Sequence, residues 1–124
     1  MPAGPVIIVQ TNANHDRFSK EMASLVHGKI ESELPGFEKV QLPGAGEGET
    51  GYFHPETRTL ILGDALINLA SNGLGILPDK YCTDPAKLRE SVRLLARLPV
   101  ERIFFAHGDP IVHDGASRIR ELIA

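Results

Sequence analysis

Apolar positions change their period along this chain, and the changes mark out its elements. Val6-Ile7-Ile8-Val9 is a continuous apolar run that extends to Thr11, bounded by Pro5 and by Asn12-Ala13-Asn14. That is the pattern of a strand buried on both faces. The spacing then turns helical: Phe18, Met22 and Leu25 stand at i, i+4 and i+7, and Val26 widens the stripe. Asn14 suits the start of this helix and His27-Gly28 its end. Lys29 to Pro35 is weakly patterned and fits either a short strand or a loop. Phe37 to Leu42 reads as a strand ended by Pro43-Gly44, and the stretch from Gly44 to Gly48 as a flexible loop. Thr50 to Phe53 and Thr59 to Leu62 flank His54-Pro55-Glu56-Thr57-Arg58. This predicts a hairpin whose turn Pro55 initiates. Leu66 to Cys82, broken by glycines and Pro78, reads as irregular, with a short helical turn from Ala65 to Leu69.

The strongest helical pattern starts at Asp84-Pro85. Thr83 or Asp84 caps it, Pro85 fits its first turn, and Leu88, Val92 and Leu95 form its apolar stripe. Lys87, Arg89, Glu90 and Arg93 face water, and Pro99 stops the helix. Ile103 to Ala106 predicts another strand buried on both faces. Asp114 caps a last helix that turns Ile119, Leu122 and Ile123 inward. The order β-α-β-β-β-α-β-α predicts an α/β fold, a mixed sheet with helices on one face.

Composition narrows the class. With 124 residues, 42% hydrophobic and 23% charged, the chain reads as one globular domain spanning 1–124. The net charge of −3 and the lack of any Lys/Arg run give no footprint for nucleic acid or an anionic membrane. Cys82 is the only cysteine, so no intrachain disulfide forms, and a reducing compartment fits. The N-terminal apolar run is too short for a signal core or a membrane span, and a cytoplasmic location is expected.

Three stretches together resemble a known family. Thr59-Leu60-Ile61-Leu62-Gly63-Asp64-Ala65 is a strand ending in Gly-Asp after a proline-containing turn. The capped helix from Asp84 to Leu98 follows. Then comes Ile103-Phe104-Phe105-Ala106-His107-Gly108-Asp109-Pro110-Ile111, with Gly115 opening a helix. In this order they are similar to the C-terminal part of metallo-β-lactamase superfamily proteins, over about residues 50 to 124. The resemblance implies half of that family's αββα sandwich, and it implies metal-assisted hydrolysis. The family's strand-end Asp and late His ligands would fall on Asp64 and His107.

The same resemblance aligns the family's main motif, H-x-H-x-D-H, with the residues after the first strand. Asn12 and Asn14 then stand at the first two His positions, Asp16 keeps the Asp, and Arg17 replaces the last His. The middle His of the family's Pro-Gly-His loop would fall on Ala45. Three ligand positions survive, Asp16, Asp64 and His107, and four are lost. That set implies no dinuclear zinc centre and leaves room for one divalent metal, zinc by the family's chemistry. An Asn amide oxygen is a weak zinc ligand, and a fixed guanidinium at Arg17 repels a cation or replaces its charge by pairing with Asp16 or Asp64.

Structural roles compete with each of these. Asp64 can brace a turn, His107 can be a satisfied strand-end histidine, and Asp16 suits the first turn of its helix. His15, His27, His54 and His113 read as surface residues and Cys82 as a small core residue. Two functions stay open: a divergent hydrolase with a reduced site, or a non-catalytic binding or assembly module. In either case the chain supplies helices for one sheet face only. The second face predicts a homodimer, or a partner chain that covers it and completes the site.

Overall fold

The computed structural model of the protein describes residues 7–9, 29–31, 36–46, 49–69, 73–106 and 108–123. The helix expected around Phe18 to Val26, His15, His27 and the Asn12 to Arg17 stretch lie outside them. Among the described residues, strands β1 (Ile7–Val9) and β2 (Lys29–Glu31) pair in parallel. Within the weakly patterned Lys29 to Pro35 stretch, Lys29–Glu31 is therefore a strand.

A four-stranded mixed sheet carries the core. Its order is β3 (Glu38–Gln41), β4 (Thr50–His54), β5 (Thr59–Ile61), β8 (Arg102–Phe104). β3, β4 and β5 run antiparallel in succession, and β5 runs parallel to β8. The β4–β5 turn forms as the sequence predicts, with Arg58 at φ +57 closing it. His54 does more than face water there. Its Nδ1 accepts the Thr57 N–H at 3.1 Å, and its ring lies 4.8 Å from that of Phe37.

Helices α1 (Pro85–Leu95) and α2 (Gly115–Leu122) pack on one sheet face. The register partners Phe53, Leu60 and Ile103 are buried in one cluster with Leu88, Val92 and Leu95 of α1 and Ile119 of α2. Asp84 caps α1 through its side chain, which accepts the Lys87 N–H at 3.2 Å. Asp114 stands at the start of α2 but makes no side-chain cap bond. It sits at φ +57, and its carbonyl accepts the Arg118 N–H at 3.1 Å.

Three expectations are corrected. Leu66 to Cys82 is not irregular, and Ala65 to Leu69 is not helical. The segment holds an antiparallel hairpin, β6 (Leu66–Leu69) with β7 (Gly73–Ile76), followed by a single 3-10 turn at Asp79–Tyr81. Leu66, Leu74, Ile76 and Leu77 join the helix-side core, which is why glycine-rich strands hold their shape here. β8 is not buried on both faces either. Ile103 is fully buried, whereas Phe104 on the other face is 44% exposed. No helix among the described residues is long and apolar enough to cross a membrane.

Candidate functional site

The site is built where β5 and β8 end. Ile61 and Phe104 are register partners in a parallel pair, and Leu62 N–H donates to the Phe104 carbonyl at 2.8 Å. In sequence, Asp64 and His107 each follow their partner residue by three positions. A parallel pair sends both connections out at one edge, the edge at which open α/β sheets bind ligands. Asp16 and His107 lie outside the described residues, so the expected convergence of the three is described at Asp64 alone.

Asp64 is half-buried, with its Oδ1 inside the protein. Its neighbours Gly63 and Ala65 are buried, so the turn after β5 is held from both sides. Asp64 borders a depression of about 470 Å³ whose other described walls are Gly46, Ile67, Leu69, Leu77, Pro78 and Tyr81. A single carboxylate among aliphatic and aromatic walls is the usual make-up of a small-molecule pocket: apolar area for affinity, one polar group for orientation. Apart from Asp64, no side chain of this wall was legible as part of a site from sequence. Ile67 and Leu69 alternate toward the depression only because β6 is a strand.

Gly46, on the same wall, ends a tightly held loop. The loop from Pro43 to Gly46 is bolted to the start of α1 through its carbonyl groups. Pro43 O accepts from Ser91 Oγ at 2.9 Å, and Gly44 O accepts from Asp84 N–H at 3.1 Å. Ala45 O accepts both Thr83 N–H at 3.2 Å and Thr83 Oγ at 2.9 Å. Ala45, onto which the sequence resemblance carries the family's middle His, is fully buried in the core. Its methyl offers a metal no donor. Among the described residues, no three His, Cys, Asp or Glu side chains are placed to hold a metal ion.

Two further positions hold β6 in place. Asn68 and Gly108 form a parallel bridge that ties β6 to the connection after β8. Asp109 N–H donates to Asn68 O at 3.0 Å, and Asn68 Nδ2 donates to Asp109 O at 2.8 Å. Asn68 is thus a positioning element that nothing in its local sequence singles out.

Cys82 is no activated nucleophile. Burial and then the Asp79 carboxylate push its thiol up, against a smaller opposing effect of Arg89. Sγ donates to the Leu77 and Pro78 carbonyls, each at 3.5 Å. A raised thiol pKa means less thiolate at neutral pH, and the thiolate is the reactive form. Alkylation by iodoacetamide at pH 7 is expected to be slower than that of a cysteine in a short peptide, and to accelerate as pH rises. Equal rates at pH 7 would contradict this placement.

Comparison with known proteins bears on the fold. No protein-family model matches the sequence, and no curated protein does. Solved structures do match. A metallo-beta-lactamase family protein from Thermus thermophilus is 25% identical, with a TM-score of 0.53 over 79% of this chain and 36% of that one. An archaeal metallo-beta-lactamase superfamily protein from Sulfolobus tokodaii is 15% identical, with a TM-score of 0.53 over 96% of this chain and 56% of that one. A metallo-beta-lactamase from Pontibacter korlensis is 14% identical, with a TM-score of 0.53 over 96% and 57%. The chain therefore has the fold of the metallo-β-lactamase superfamily, as its sequence resemblance implied. It spans 36% to 57% of the lengths of these three proteins.

Proposed function

We propose that this is a divergent metallo-β-lactamase-fold protein that binds a small molecule beside Asp64 without a dinuclear metal centre. The observation that carries this is the joint placement of Ala45 and Asp64. The loop that would supply a central His buries an alanine in the core, while the next residue, Gly46, shares a wall with Asp64. What remains is an apolar depression with one orienting carboxylate, the ordinary form of a ligand pocket. Metal analysis of the dialysed protein tests the reading. Fewer than two zinc ions per chain are expected, and about two would overturn it.

A second reading rests on a different observation. β5 and β8 are adjacent and parallel, so the sequence places Asp64 and His107 after strands that end at one edge. This supports a single-metal hydrolase that uses Asp16, Asp64 and His107. Asp64→Ala and His107→Ala separate the two. Under the second reading each variant loses a stoichiometric metal with little loss of stability. Under turn bracing, each costs roughly 1–3 kcal/mol, the size of one lost buried hydrogen bond, and leaves metal content unchanged. That second outcome would retire the hydrolase reading.

A further inference from the structure

The second face of the four-stranded sheet is covered unevenly. One row of register partners crosses it: Lys39, Tyr52, Ile61, Phe104. Tyr52 in the middle is buried to 3% exposure, Ile61 is half-buried, and Phe104 at the β8 edge is 44% exposed. Cover therefore runs out toward β8. Phe104 there borders an open basin of about 860 Å³ with Glu56, Arg58, Glu101 and Arg102. These charges are held in place by the backbone. The Arg58 carbonyl accepts both Glu101 N–H at 2.8 Å and Arg102 N–H at 3.1 Å. Glu101 lies 3.5 Å from His113, and Arg102 donates to the Thr57 carbonyl at 2.6 Å. Glu56 and Arg58 are exposed and enter no ion pair among the described residues.

We propose that this basin is a two-fold interface with a second copy of the same chain. The charge pattern selects that occupant. Two carboxylates, two guanidiniums and the His113 imidazole surround one exposed aromatic ring, so the patch carries both signs. A partner of either single sign would meet repulsion from half of it. A two-fold copy presents the same mixture in reverse, so that each acid of one copy can meet a base of the other. Phe104 then supplies the buried aromatic centre and the arginine stems its rim, the usual anatomy of an interface. This inference is independent of what binds beside Asp64.

Sedimentation equilibrium from about 1 µM to about 500 µM tests it, since a dimer must respond to concentration by mass action. The wild type is expected to dimerise within this range, and Phe104→Glu to weaken dimerisation at least tenfold, as removal of a central aromatic does. Arg58→Glu alone and Glu56→Arg alone should each weaken it, because they leave like charges facing across the axis. The double variant E56R/R58E restores the mixture and should dimerise more tightly than either single change. All three positions are exposed, and circular dichroism should show native folds throughout. A wild type that stays monomeric, a dimer indifferent to Phe104→Glu, or a double variant no tighter than the singles would each overturn the proposal.

Discussion

Gly44→Ala is expected to lower the stability of the protein by about 2–5 kcal/mol, the sum of backbone strain and overpacking. Gly44 sits at φ +101, outside the regions that L-residues favour. A Cβ there would lie 2.2 Å from Leu88 N, 2.4 Å from the Asp84 carbonyl oxygen and 2.8 Å from the Lys87 carbonyl carbon. All three are backbone atoms of the first turn of α1, and none can rotate aside. Leu88 itself is fully buried, so the turn cannot shift without opening the core. The loop must move instead, which breaks the bonds from Ser91, Thr83 and Asp84 to its carbonyls. The melting temperature should fall on the order of 10 °C or more, and the urea midpoint with it. Gly75→Ala is the matching control. A Cβ at Gly75 meets nothing within 4 Å, so that variant should stay within about 0.5 kcal/mol of the parent. Equal effects at the two positions would mean that the packing of Gly44 against α1 is not what decides.

Some of this architecture was legible in the sequence because local pattern and tertiary packing agree. The Leu88, Val92, Leu95 stripe with Asp84-Pro85 in front of it can only be a capped amphipathic helix, and all three side chains are fully buried. The β4–β5 hairpin announced itself through two strand-like runs around Pro55. The β6–β7 hairpin was misread because Gly73 and Gly75 lower strand propensity and drew attention as breakers. Gly73 is itself the first residue of β7, where it pairs with Leu69 at φ +72. Phe104 shows a different limit. An apolar run states that its residues can be buried, and says nothing about whether a layer exists to bury them. Of the residues around the depression, Asp64 alone was singled out in sequence, through the family resemblance. Gly46, Ile67, Leu77 and Tyr81 were not, because they meet Asp64 only after β6 and the Pro43–Gly46 loop are folded beside it. Asp114 was placed correctly at the head of α2 for the wrong reason: its backbone conformation, not its carboxylate, starts the helix.

Gly108→Ala is expected to free the connection after β8 from strand β6. Gly108 has φ +104, and a Cβ on it would fall 2.0 Å from Asn68 O and 2.4 Å from Asn68 C. No side-chain adjustment relieves a collision with backbone. Gly108 differs from Gly44 in being exposed, so the chain around it can swing outward rather than strain the core. The cost is then bounded by what the clasp holds: the Asp109 N–H to Asn68 O bond and the Asn68 Nδ2 to Asp109 O bond. Two such bonds and the packing around them amount to about 2–3 kcal/mol. The loss should be local. The Asp109 amide is expected to lose protection from hydrogen exchange, while the Leu88 and Val92 amides of α1 keep theirs. A double-mutant cycle gives the sharper result. Asn68→Ala removes only the side-chain bond and should cost about 1 kcal/mol. In the Gly108→Ala background that bond is already broken, so adding Asn68→Ala should cost close to nothing. Full additivity would show that Asn68 acts elsewhere, and that the strand after Asp64 and the connection that carries position 107 are not joined through this bridge.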